Sequence, residues 1–430
     1  MKKKIICIVT VFIIIFIFLC YRFFSVYSLY VELVNLPESD YDGRIRIENN
    51  DDYFPEYLIK FMADNEKRDK IFDLVSLIPE RDNLFQKEAT EKLIQTATPL
   101  FSDDLDSFKE IVPIIKDKMK ETKRSIPPSF KESESYPPAP TFRTMRATAR
   151  YWSIMSRMLE QKKDYETSLY LSHAIFYLSK DFETDYLNSS SLINKIISMA
   201  ITEIACDSIL IWASRPKFQC RALSKEIAKD ILDFVKNEYP LSVNIEYDSI
   251  VFEEVLNYLA DKGRSSLFYK ARNSSSYDEL FNKCFNEPKK LFDKPIYEIK
   301  KEMDKYSEEH FKMANIKTID YIFYAIFNPG KGTALFLLGM GSPDFSKSKK
   351  EYEARLAKME ITAIALAINS FVCEKKKYPK SMSELSQWFG SELPNNRITN
   401  EPYELDFEGE HVIYNKSVPD KEIFFDFSMR

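Results

Sequence analysis

The chain has 430 residues, enough for two or three domains. It is 45% hydrophobic and 30% charged, so a packed core is the expectation and disorder is not. Lys and Arg number 61 against 66 Asp and Glu, and the formal charge of −5 argues against nucleic acid as a partner, which needs a clustered positive field.

Only 8 Gly accompany 33 Phe and 25 Tyr. Few glycines and many straight-chain residues favour helices over tight-turned sheets, and the aromatics suit helix-on-helix packing or broad contact surfaces.

Met1-Lys2-Lys3-Lys4 leads into an apolar run from Ile5 to Tyr21, broken only by Thr10 and closed by Arg22. Such a run lies at the short end of what crosses a hydrocarbon core of roughly 30 Å. The lysines ahead of it keep the N-terminus in the cytoplasm by the positive-inside rule. Residues 1–30 therefore read as a single-pass membrane anchor with the body outside the cytoplasm. Two other readings share this topology: a signal peptide cut after Val26-Tyr27-Ser28, and a lipoprotein modified at Cys20. Leu19 stands where the latter needs a small residue, and the run is longer than a signal peptide's.

Residues 31–124 form an N-terminal region. Pro37, Gly43 and Asn49 to Asp52 mark a linker with one short strand at Arg44 to Ile47. Short helical stripes follow, such as Leu84, Phe85, Leu93, Ile94 and Ala97, and Pro113 interrupts the last of them. Residues 125–140 hold five Pro and four Ser, which no helix sustains, and read as a linker.

Residues 141–345 read as a central helical domain. Trp152, Met155 and Leu159 start it, and a break at Lys162-Lys163-Asp164 precedes Leu169, Ala174, Ile175 and Leu178. Residues 189–213 are apolar almost all round, the mark of a central helix. Leu223, Ile227, Ile231 and Val235 make the next stripe. Ser-rich 273–276 is expected to cap a short helix, and Pro295 to open a long charged one. Within 316–345, Asn328 to Gly332 breaks an apolar stretch, which reads as a buried helix and turn; the other reading, a second membrane span, has Asp320 and the Pro-Gly break inside its window.

Residues 346–430 form the last module. One helix is expected over 347–373. Tyr403 to Phe407 and His411 to Tyr414 then alternate around Glu408-Gly409-Glu410, a hairpin pattern, with Glu422 to Phe427 as a third strand.

Motifs for chemistry fail on spacing. The three histidines, His173, His310 and His411, have no second histidine or carboxylate at ligand spacing, and His173 reads as a core histidine. No CxxC occurs among the six cysteines. Cys206 and Cys220 could pair in an exported body or serve as buried thiols. Gly330-Lys331-Gly332-Thr333 lacks the leading glycine and magnesium-binding hydroxyl of a phosphate loop. The expectation is of no catalytic, cofactor or metal residues and of a chain that is not an enzyme.

The tail carries a resemblance. A long apolar helix precedes Tyr378-Pro379-Lys380-Ser381-Met382-Ser383-Glu384-Leu385, then Leu393-Pro394-Asn395, Asn400-Glu401-Pro402-Tyr403, and Gly409 to Asn415 before a final strand. This order resembles the C-terminal half of type II secretion major pseudopilins. It is similar too to membrane-anchored bacterial proteins that fuse such a tail to a helical body, in which a segment like Arg146 to Trp212 recurs. The prepilin processing motif is missing, and where pseudopilins often bind calcium, Lys416 to Asp420 offers one carboxylate. Trp152, Ser156, Leu159, Tyr165 and Ser168 are similar to one tetratricopeptide helix pair, without a second copy at that period.

The fold class expected is mainly α: a multi-helix bundle or helical-hairpin array, with an N-terminal transmembrane helix and a small C-terminal α+β module. The function expected is that of an extracytoplasmic interaction or envelope-assembly protein beside a secretion or pilus-type system. Its partners are the membrane and an envelope protein. The alternative is an extracytoplasmic hydrolase or transferase built from dispersed residues.

Overall fold

A computed structural model of the chain describes residues 45–47, 87–102, 105, 130–132, 142–184, 192–214, 221–238, 240–261, 269, 271–274, 276–314, 331, 334–335, 338, 345–406, 412–415 and 422–426. The expected anchor over 1–30 lies outside these residues, as do Cys220, His411, Pro113 and the 416–420 loop. The described residues are mainly helical.

In chain order, strand β1 (Ile45–Ile47) precedes α1 (Lys87–Phe101) and strand β2 (Phe130–Glu132). Four long helices follow: α2 (Phe142–Gln161), α3 (Tyr165–Thr184), α4 (Leu192–Ala213) and α5 (Arg221–Lys236). Then come α6 (Leu241–Asp261), α7 (Tyr277–Phe281), a π-helical turn at Asn282–Asn286, α8 (Glu287–Phe292) and α9 (Ile296–Ala314). The longest helix, α10 (Phe345–Lys375), and α11 (Met382–Phe389) precede three short strands, β3 (Glu404–Asp406), β4 (Val412–Asn415) and β5 (Glu422–Asp426), paired antiparallel in that order.

The chain divides into two compact units. The larger takes its described residues from Arg46–Pro240, Pro295–Glu298 and Lys350–Arg430. The break at Lys162-Lys163-Asp164 folds α2 back on α3. Lys163 turns the chain with φ 64°, and Asp164 accepts from the Thr167 amide at 3.4 Å at the start of α3. Small polar residues let these helices approach closely. Ser156 Oγ lies 2.9 Å from Ser168 Oγ and 2.7 Å from Ser172 Oγ, and it donates to the Ser168 carbonyl at 3.0 Å. The αα-hairpin therefore closes through three serines at the crossing of its helices.

Helix α4 covers this hairpin. Trp212 donates its indole N–H to the Tyr165 carbonyl at 3.2 Å, and Ser153 and Ser208 meet at 2.5 Å. Arg157 pairs with Glu160 at 2.5 Å and donates to the Ser208 carbonyl. Residues 195–213 of α4 and the whole of α10 are each long and apolar enough to cross a membrane by length and composition. Both are largely covered by the fold, 67% and 89% of the apolar window being buried. Asn369 of α10 donates to the Ala213 carbonyl at 3.3 Å, and Lys358 bridges Glu203 at 3.5 Å and Asp207 of α4. We read the two as neighbouring central helices.

Helix α11 shows local control of its ends. Ser381, in extended conformation, accepts from the Glu384 amide at 3.2 Å, and Glu384 reaches back to the Lys380 amide at 2.6 Å. Gly390 ends the helix in the left-handed region with φ +83°. Lys225 of α5 docks the same helix. Its ammonium donates to the Trp388 carbonyl at 3.1 Å and lies 4.2 Å above the Trp388 ring, a cation where the helix C-terminus favours one.

The smaller unit takes its described residues from Leu241–Lys294 and Ile299–Lys349, together with Ile45. Helices α6 and α8 pack together around an aromatic row in which Phe252, Phe281, Phe285 and Phe345 follow one another at centroid spacings of 5.0–6.4 Å. Ser276 precedes α7, as the sequence suggested, but its side chain makes no capping bond; the Leu280 amide bonds its backbone carbonyl at 3.1 Å instead.

Candidate functional site

Two of the polar clusters of the larger unit lie along α10 between Tyr352 and Glu360. On one side, α4, α5, the segment after it and α10 line a cleft of about 20 Å³. Its polar wall is Lys195, Ser198, Thr202, Glu238, Tyr352 and Arg355, and Met199 and Met359 are among its apolar residues. Lys195 is 1% exposed and forms an ion pair with Glu238, while the Tyr352 ring lies 5.3 Å from its ammonium. A buried ammonium needs such a partner, because leaving it uncompensated costs several kcal/mol or more. The cleft has room for a water molecule or so and is far smaller than the roughly 300–1,000 Å³ typical of small-molecule sites.

On another part of α10, Glu353 and Glu360 face the loop from Asn395 to Tyr403. Arg397 Nε donates to Glu360 Oε1 at 2.7 Å, and Arg397 Nη1 lies 3.5 Å from Glu353 Oε2. Tyr403 donates its hydroxyl to Glu360 Oε2 at 3.3 Å. Both carboxylates are nearly sealed, with side-chain exposures of 6% for Glu353 and 3% for Glu360. Burial pushes the Glu360 carboxyl up to about 7, outweighing the opposing pull of Arg397 and of the Tyr403 hydrogen bond. Burial and the adjacent Glu360 charge push the Tyr403 phenol upward as well.

A third cluster joins α3 to α5. Asp230 Oδ2 accepts from the Tyr177 hydroxyl at 2.6 Å and lies 2.9 Å from His173 Nε2. His173 is buried, edge-on to Tyr177 at 5.3 Å, and Phe234 packs edge-on against both Phe176 and Tyr177. The expected core histidine thus has a carboxylate partner that its own neighbourhood in sequence does not contain. Asp230 sits two helices further on, at a polar position of an otherwise apolar stripe, and no spacing rule links it to His173.

The remaining candidates stand apart from these clusters. Cys206 is a free, buried thiol, pushed up to about 12 by burial. His310 is buried on α9, with its ring 5.9 Å from Tyr306. Of the Gly330 to Thr333 stretch only Lys331 is described. Among the described residues, no three His, Cys, Asp or Glu side chains converge as a metal would require.

No protein-family model matches this chain, and no curated protein and no solved structure match it either.

Proposed function

We propose that this protein is a membrane-anchored, extracytoplasmic scaffold that binds an envelope protein partner, working beside a secretion or pilus-type assembly. In this reading residues 1–30 span the bilayer once with the N-terminus in the cytoplasm. Residues 346–430 form an α+β module of the pseudopilin kind, built from α10, α11 and the antiparallel strands after them.

The observation that carries the reading is how the helical body pairs charges that its packing covers wholly or in part. Arg157 with Glu160, Lys195 with Glu238, Lys358 with Asp207 and Arg397 with Glu360 tie turns, helices and loops to one another. Charges used in this way fix one arrangement of helices, which suits a rigid body presenting a surface.

Two measurements test it. A C-terminal reporter fusion with protease access to intact cells and spheroplasts is expected to place the body outside the cytoplasm. Cross-linking in membranes, followed by co-purification, is expected to recover a defined envelope protein. A cytoplasmic C-terminus, or a body that cross-links to nothing, defeats the proposal.

One observation favours a second reading, a hydrolase or transferase: Lys195, Glu238, Ser198 and Tyr352 do converge on a cleft. Turnover of simple ester, glycoside or phosphate substrates that disappears in Lys195→Met would replace the scaffold reading.

A further inference from the structure

We draw no further inference here: the strongest candidate, the cleft that Lys195, Glu238, Tyr352 and Arg355 line between α4, α5 and α10, belongs to the site already described, and with room for a water molecule or so beside an ion pair it shows nothing of what it would bind.

Discussion

Ser156 illustrates how much a single small side chain decides. Its hydroxyl meets Ser168 and Ser172 where α2 crosses α3, and all three are fully buried. Ser156→Val adds volume at a close crossing and removes its hydrogen bonds, so a loss of about 1–3 kcal/mol is expected, read as a lower urea midpoint. Cys206 gives a chemical counterpart. Its thiol is fully buried and raised to about 12, so little thiolate exists at neutral pH. Iodoacetamide should leave it unmodified in the native protein and alkylate it after denaturation, with mass spectrometry as the readout. Alkylation of the native protein at the denatured rate would contradict its burial. Asp230 organises a hydroxyl and an imidazole at once. Asp230→Ala should cost about 1–3 kcal/mol in thermal unfolding, and Asp230→Asn less, because the amide oxygen still accepts.

Helix ends show where a chain with few glycines accepts local strain. Lys163 ends the α2 turn at φ 64° and Lys376 follows α10 at φ 58°, both in the left-handed region. Such a conformation costs a non-glycine residue about 1–2 kcal/mol. Lys376→Gly should therefore raise the melting temperature, by up to about 1 kcal/mol of stability after the greater flexibility of the unfolded chain is subtracted. Gly390 is the reverse case. A Cβ there meets nothing within 4 Å, yet its φ of +83° disfavours any L side chain. Gly390→Ala should destabilise α11 by about 1 kcal/mol through backbone strain alone. Ser381→Ala should cost a similar amount, about 1 kcal/mol, through the lost cap. Far-UV circular dichroism during thermal unfolding distinguishes these signs.

At the level of the whole molecule, regular structure was the legible part. The stripe Leu223, Ile227, Ile231 and Val235 became the buried face of α5, and the all-round apolar 189–213 segment became α4, covered on most sides. The expected helix over 347–373 extends by two residues at each end, as Phe345–Lys375. Helical periodicity is a local property, so it can be read from neighbouring residues. The ion pairs were not legible. Lys195 and Glu238, Lys358 and Asp207, and Arg397 and Glu360 join residues that no local spacing associates. Seen alone, each reads as a solvated charge on a helix or loop. A charge becomes a buried partner only when packing removes its water, and packing is set by every helix together.

The sequence by itself therefore determined a mainly helical chain, the positions of its central helices, and the break between α2 and α3, because each depends on residues within a few turns. Only the tertiary structure decided that Asp230 meets His173, that Lys195 is sealed against Glu238, and that two α10 carboxylates share one arginine. The physical reason is desolvation. Whether a carboxylate is an ordinary surface acid or a group that holds its proton near neutral pH depends on what covers it, and that cover comes from distant parts of the chain.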